Sequence, residues 1–440
     1  MNDPKDRPLP PPKSLGTTLV VGGCGFVGRH LVDQLLNFPS ESSLPQAKSI
    51  SLGANTGRYS YNFAPLSGRY PSFDQSGTKV HALDLRCTKN RLAGCTYHEA
   101  DITDAQALLE VFKKVQPDVV INTASPQWNA PPAILRKVNV EGTRTLLEVA
   151  GKMHGDWSSD GKKRCKAFVH TSSSSVIHDT QSNLRNADER YPLQVPNKVE
   201  YYSETKAVAE NLVLQHNAAP ELGGMFTAAV RPAGVIGELD FGGFGHGITK
   251  TASVAPGWQC NLQLGEGDNL FDTTYVGNVA LGLLLVAEGL LGTARRQRET
   301  GRDDGGVLEH ERVAGEAFIV TNDEPAYFWE LTRYIYSRYG REGVVVKGRD
   351  GVTSLPEGFA WLVGGFSELV GRLTGRQGKL NRQTVKYSCI DRYFSCEKIK
   401  RRCGYIPVVG VEEGLARTVQ WFKDFEIEES MKSGQDKKVQ

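Results

Sequence analysis

Tyr202 and Lys206 stand four residues apart in Tyr202-Ser203-Glu204-Thr205-Lys206. On a helix this spacing puts a phenol and an ammonium on one face, one turn apart. A phenol with its ordinary pKa near ~10 is a poor base at neutral pH. An ammonium one turn away stabilises the phenolate and lowers that pKa, so the pair can take the proton of a secondary alcohol. Tyr201 is excluded from the part, because Lys206 lies five residues on rather than four. A hydroxyl must also fix the substrate oxygen. The run Thr171-Ser172-Ser173-Ser174-Ser175-Val176 offers several, and spacing alone does not choose between them. Such serines also serve as turn caps.

An alcohol that loses its proton in this way needs a hydride acceptor. Gly22, Gly25 and Gly28 form G-x-x-G-x-x-G between the β-branched run Thr17–Val21 and an apolar-periodic stretch, Arg29–Asn37. A strand-to-helix turn of this composition lets the backbone approach a dinucleotide pyrophosphate. Phe26 and Val27 lie within the turn and are assigned to the cofactor site with it. An acid at the end of the second strand should bind the adenosine ribose. Asp84 in His81-Ala82-Leu83-Asp84-Leu85-Arg86 fits, although it lies far beyond the usual ~20 residues because an insertion intervenes. The competing run Lys48–Leu52 has the usual spacing but ends at Gly53 without an acid. A carboxylate there repels a 2′-phosphate, which favours NAD, while Arg86 keeps NADP open. Asp101 follows the next strand, where it can accept from the adenine amino group or cap a helix. Ile102 and Ala124, which adjoin these motifs, complete the assigned cofactor contacts.

Elements must position these groups. Strands are expected at Thr17–Val21, Lys79–Leu85, up to His98–Ile102, and at Asp118–Ala124, Ala167–Ser172 and Phe226–Arg231. Helices are expected at Arg29–Asn37, Ala105–Val115, within Pro132–Lys152, and at Tyr202–His216. Their alternation implies an α/β fold with a doubly wound parallel sheet of Rossmann type, followed by a smaller C-terminal substrate-binding region. The expected boundaries are a disordered tail over residues 1–16, a cofactor domain over 17–235, a substrate region over 236–430 and a frayed tail over 431–440. Pro39–Thr78 is rich in Ser, Gly, Pro and Tyr without periodicity. A compact domain seldom needs a loop of about 40 residues, so it reads as an insertion, largely disordered or a surface flap. Thr293–Glu311 reads as a second loop insertion.

The 440 residues carry 52 basic and 50 acidic side chains, a net charge of +2, which does not suggest a nucleic-acid binder. The eight cysteines form no C-x-x-C pair, so neither a zinc site nor a disulfide framework is indicated, and a reducing, cytosol-facing setting follows. No apolar h-region begins the chain, and no run reaches the roughly 18 apolar residues of a spanning helix.

These residues resemble the extended short-chain dehydrogenase/reductase superfamily. Within it they are similar to the 3β-hydroxysteroid dehydrogenase family and its fungal sterol-4α-carboxylate 3-dehydrogenase branch. The resemblance rests on Val20–Gly28, Asn122-Thr123-Ala124-Ser125-Pro126, Val138–Thr143, Asn186–Glu189, Tyr202–Glu210, Arg231-Pro232-Ala233-Gly234, Asn269–Asp272, Thr321–Pro325 and Phe328-Trp329. It implies Ser173 as the catalytic serine beside Tyr202 and Lys206, Pro232 at the nicotinamide, and Asn139 as a support for the active-site helix. It further implies NAD, a sterol or triterpenoid substrate, and no catalytic metal. The implied setting is the cytosolic face of the endoplasmic reticulum, beside a C4 oxidase and a 3-ketoreductase of sterol C4-demethylation. The chain departs from the family at Glu238, where proline is usual, and in the glycine-rich run Phe241–Gly247.

The late segment Gly358–Gly375 has apolar residues at helical spacing: Phe359, Leu362, Val363, Phe366, Leu369, Val370 and Leu373. Such a face fits a core or dimer-interface helix, or a membrane-surface helix, and Trp361, Arg372 and Arg376 suit the second. Three rival functions remain. One is a steroid or triterpenoid dehydrogenase of specialised metabolism without decarboxylation. Another is a sugar-nucleotide epimerase, against which the long apolar segment argues. The third is a non-catalytic NAD-sensing regulator, against which Tyr202 and Lys206 argue.

Overall fold

The computed structural model describes residues 13–42, 63–197, 199–218, 224–303, 305–374 and 381–436. Strand β1 (Thr17–Val21) runs into helix α1 (Phe26–Leu35) through the glycine turn. Strands β2 (Lys79–Asp84) and β3 (Thr96–Glu99), helix α2 (Ala105–Val115) and strand β4 (Val119–Asn122) follow. Pro132–Leu135, a π-helical stretch over Arg136–Gly142, and Thr143–Ala150 join end to end as one helix, α3. Strand β5 (Ala167–Thr171), helix α4 (Tyr201–Gln215), strand β6 (Phe226–Pro232), helix α5 (Val276–Thr300) and strand β7 (Glu316–Val320) complete the core.

All seven strands pair in parallel, in the order β7-β6-β5-β4-β1-β2-β3. Alternate residues of β1 serve opposite layers. Val20 packs with Leu31, Leu35 and α5 on one face, and Leu19 and Val21 pack with Leu108, Phe112 and Leu147 on the other. The period-two alternation of a strand buried on both faces thus builds two helical layers on one sheet. The chain reverses its direction of winding between β1 and β4, and the crevice beyond the carboxyl ends of strands at such a switch point is where α/β sheets bind ligands.

Additional C-terminal elements form a second region. A four-stranded sheet joins Ala326–Tyr327, Leu270–Phe271, Arg392–Phe394 and Leu184–Ala187. Helix α6 (Glu357–Thr374) lies against Arg382–Tyr387, and α7 (Val411–Asp436) ends the described chain.

Several expectations change. Leu15 is buried, so the ordered chain begins before Thr17. Residues 1–12 and 43–62, including the competing run Lys48–Leu52, lie outside the described residues. Phe63–Thr78 is not a surface flap. Leu66, Tyr70 and Phe73 keep 8%, 2% and 8% exposure in the core between α1 and α5. The Tyr70 hydroxyl donates to Asn278 Oδ1 at 3.0 Å, and Arg69 pairs with Glu413 of α7 at 2.7 Å. Thr293–Thr300 is not loop but the last turns of α5, with Thr293 and Gln297 buried. That helix is also long and apolar enough to cross a membrane, contrary to the count of apolar runs, but its apolar side chains lie in the core. Met431–Asp436 continues α7 instead of fraying.

The periodic helix gives the sharpest correction. Its apolar face is not core: Phe366 and Leu362 are 68% and 64% exposed, and Phe359, Trp361, Val363, Leu369 and Val370 are also exposed. Among its described residues only Ala360 and Gly364 are buried, against Leu264, Val385 and the start of Arg382–Tyr387, and Glu368 accepts from Arg382 N at 2.8 Å. The side chains of Arg372 and Leu373, and all of Arg376, lie outside the described residues.

Candidate active site

The glycine turn is built by three different constraints. Gly22 has φ +78°, and a Cβ there would stand 2.8 Å from the Ala124 nitrogen. A Cβ on Gly28 would stand 2.1 Å from the Gly22 oxygen, so only glycine lets α1 approach the strand this closely. Gly25 is exposed and begins α1 as its N-cap without a side-chain cap bond. The first-turn donors of α1, at Phe26, Val27 and Gly28, thus face an open helix N-terminus of the kind that holds phosphate. Asp84 ends β2, the strand paired directly with β1. Its carboxylate accepts from Cys24 N at 3.0 Å and Leu85 N at 2.8 Å, which holds it against the turn, and burial pushes its pKa up. Arg86 is exposed. The residues present therefore fit NAD.

The remaining assigned contacts separate. Ala124 closes on Gly22, with its N–H on Asn122 Oδ1 at 3.1 Å. Pro232 ends β6, two strands from β4, at the same carboxyl edge. Ile102 is buried, and a Cβ on Gly142 of α3 would stand 2.6 Å from its Cδ1. Asp101 closes its own turn, accepting from Thr103 N at 2.9 Å and Thr103 Oγ1 at 2.8 Å, with Lys137 at 3.4 Å. The cap of α2 is Asp104, and any adenine contact of Asp101 competes with these partners.

Helix α4 begins at Tyr201, so Tyr202 and Lys206 stand one turn apart on it as the spacing predicts. The helix is braced from α3. Asn139, in the π-helical stretch and 1% exposed, donates to Thr205 Oγ1 at 3.0 Å and accepts from Ser125 Oγ at 2.9 Å. The extra residue of a π turn re-aims a side chain, and such turns gather at functional sites. Ser125 also reaches the Tyr202 phenol.

The four serines are not equivalent. Ser172 donates to the buried Glu210 at 2.6 Å, and Ser172, Ser174 and Ser175 are all buried. Ser173 alone of the four is partly exposed. It caps the 3-10 turn Ser174–Ile177, and its Oγ lies 2.9 Å from Ser175 Oγ, which accepts from Ser203 Oγ at 2.8 Å.

The electrostatics depart from expectation. Burial, with Glu200 adding, pushes the Tyr202 phenol up to about 12 rather than down. The Lys206 ammonium is turned onto the Thr171 carbonyl instead of the phenol, and burial pushes it down to about 8. In the protein alone, low dielectric outweighs the ion pair that the spacing suggests. Ser125 and Glu200 were not singled out by residue type. Their signal is positional: one follows the carboxyl end of β4, and the other is the N-cap of α4. Glu238, the departure from proline, accepts from Tyr275 Oη at 2.8 Å and lies 3.8 Å from Arg417. It is therefore tied to the C-terminal helix. The glycine-rich run is folded around buried Asp240, which accepts from Gly242 N at 3.2 Å and His246 N at 2.9 Å.

A profile of the 3-beta hydroxysteroid dehydrogenase/isomerase family matches residues 72–346. The chain belongs to that family. It is 32% identical to sterol-4-alpha-carboxylate 3-dehydrogenase, decarboxylating, of Candida albicans, over 94% of this chain and 99% of that one. It is 29% identical to the Saccharomyces cerevisiae protein of the same description, over 93% and 99%. Among solved structures, UDP-glucose 4-epimerase of Thermotoga maritima superposes with a TM-score of 0.55 at 17% identity, over 93% of this chain and 99% of that one. The NAD complex of dTDP-glucose 4,6-dehydratase of Bacillus anthracis gives 0.54 at 18% identity, over 93% and 97%. These structures share the fold. The family member described here is an NAD-dependent oxidoreductase acting on a sterol or steroid substrate.

Proposed function

We propose that this enzyme oxidises the 3β-hydroxyl of a 4α-carboxysterol to a 3-ketosteroid with loss of the carboxylate as CO2, in sterol C4-demethylation. The observation that carries this reading is Tyr202, Lys206 and Ser173, the one accessible serine of its run, at the same carboxyl edge of the sheet as the glycine turn, in a chain that matches sterol-4-alpha-carboxylate dehydrogenases nearly end to end. Ser173 and Tyr202 hold the C3 hydroxyl, and the phenolate of Tyr202 takes its proton. NAD, when bound, accepts the C3 hydride and brings a positive charge. A phenol held near 12 needs such a charge, together with Lys206, to become a base. Thr205 and Asn139 keep the phenol on line. The product is a β-keto acid. Its C4–carboxyl bond breaks, the electron pair enters the C3 carbonyl as an enol, and CO2 leaves.

Purified protein given NAD and a 4α-carboxysterol should form the decarboxylated ketone, identified by mass. A ketone that retains the carboxylate indicates the reading without decarboxylation. Tyr202→Phe should bind NAD yet lose at least ~10²-fold in turnover, and Tyr201→Phe should be much milder; equal losses would refute the assignment of the base. Asp84→Ala should erode the preference for NAD over NADP, whereas a wild-type preference for NADP would remove Asp84 from the ribose site.

The exposed face of α6 supports peripheral contact with a membrane, the source of a lipid-dissolved sterol. Arg382 stacks over Trp361 at 4.0 Å and places a cation beside that face. The reading locates the enzyme on the cytosolic face of the endoplasmic reticulum, in reach of a C4 oxidase and a 3-ketoreductase.

A further inference from the structure

Several arginines of the molecule have an acidic partner. Arg231 is buried against Glu210, Arg185 bonds Asp391 at 2.6 Å, and Arg417 bonds Glu413 at 2.9 Å. Arg392 differs. Its guanidinium makes no hydrogen bond or ion pair among the described residues, and its Nε is buried without a partner. It is held by aromatic rings instead, 4.4 Å from the centroid of Tyr387 and 5.6 Å from that of Phe271. Ring stacking fixes the plane of a guanidinium while its N–H edge stays available, the geometry that binds a carboxylate through two parallel hydrogen bonds.

Its position matters as much as its lack of a partner. Tyr387 contacts Glu200, the N-cap of α4, and Tyr202 lies two residues further on. Tyr387 also lies 5.8 Å, ring to ring, from His178, the residue that ends the turn capped by Ser173. The supports of both groups expected to hold the C3 hydroxyl therefore meet at the ring that carries Arg392. His178 donates from Nε2 to the Ser182 carbonyl at 3.0 Å, and burial, with Arg392 adding, pushes its pKa down to about 4, so it is neutral. Of the carboxylates around this ring, Glu200 accepts from Ser203 and lies beside Tyr387, and Asp272, whose N–H donates to the Arg392 carbonyl at 3.0 Å, turns one carboxylate oxygen to Phe394 N at 2.7 Å. The cation stacked on that ring is Arg392.

We propose that Arg392 is the substrate-carboxylate anchor, its guanidinium binding the C4 carboxylate while Ser173 and Tyr202 hold the adjacent C3 hydroxyl. The inference rests on the proposed function and adds to it the residue that distinguishes a carboxylated sterol from a neutral one. Carboxylate selectivity then comes from the strand Arg392–Phe394 of the C-terminal region, while the hydroxyl chemistry comes from α4.

The test compares two substrates in the full chain with NAD: a 4α-carboxy-3β-hydroxysterol and the same sterol without the carboxylate. Arg392→Met should lower kcat/KM for the carboxysterol by about 10- to 100-fold, the scale of a charge-assisted contact. Turnover of the neutral sterol, or its binding as a competitive inhibitor, should be unchanged, as should NAD affinity. Arg392→Lys, which keeps the charge but not the fork, should show a smaller loss with the same selectivity, and it serves alone if the methionine variant fails to fold. Equal losses on both sterols would show a structural role and overturn the proposal, and so would no loss on either. Wild-type oxidation of the neutral sterol alone would overturn the anchor while sparing the dehydrogenase. Inactivity on both sterols would overturn the proposed function itself.

Discussion

Phe63–Thr78 and helix α6 handle apolar side chains in opposite ways. The first has little periodicity, yet it seats Leu66, Tyr70 and Phe73 among α1, α5 and the strands. The second has a regular apolar face and leaves it in the open. The difference lies in what each meets. Tyr70 enters a slot over α5 where a Cβ on Gly277 would stand 2.7 Å from its hydroxyl, and its ring lies 5.6 Å from Phe38. Asn37 and Phe73 exchange two hydrogen bonds, at 2.8 and 2.9 Å, that fasten the segment to the end of α1. Among the described residues, helix α6 is offered only the short helix Arg382–Tyr387 and a small apolar cluster, and it spends Ala360 and Gly364 on them. Periodicity tells which residues share a face. It does not tell whether another element covers that face.

The comparison can be tested by stability. Tyr70→Ala should cost about 3–5 kcal/mol in denaturant unfolding, and replacing Phe63–Thr78 by a Gly/Ser linker should abolish folding. A linker variant that folds and binds NAD would restore the dispensable insertion. Tyr70→Phe keeps the ring and removes only the bond to Asn278, whose oxygen also accepts from Val408 N at 3.0 Å. It should cost ~0.5–1.5 kcal/mol, and a loss as large as that of alanine would mean that the hydroxyl, not packing, holds the segment. The smallest effect belongs to α6. Serine at Trp361, Leu362 and Phe366 should change stability by no more than about 0.5 kcal/mol at each site while releasing the protein from liposomes. Wild type should leave membranes in detergent more readily than in salt. Unfolding of the triple variant would show that the face packs against protein, and wild type without liposome affinity would refute the membrane contact.

Much of the cofactor half was legible because its signals are local. Thr17–Val21 and Ala105–Val115 form as their patterns predict, and the alternation of strands and helices is enough to require a parallel sheet. The long α3 was legible as a helix but not as a π-bearing one, because the extra residue at Arg136–Gly142 leaves no mark on apolar spacing. The loop expected over Thr293–Glu311 fails at its start for a related reason. Its charged residues lie on the exposed side of α5, while Thr293, Ala294 and Gln297 continue the buried side.

By itself the sequence determined the glycine turn, the helical phase that joins Tyr202 to Lys206, and the order of elements that brings them to one sheet edge. These depend on neighbours along the chain, on φ, hydrogen-bond period and side-chain spacing. Tertiary structure alone decided which of four serines stays accessible and where the Lys206 ammonium points. Among the described residues it also left Arg392 without an acid and the apolar face of α6 exposed. Each of these depends on groups far apart in sequence, and burial, which sets their charge and exposure, exists only once those groups have met.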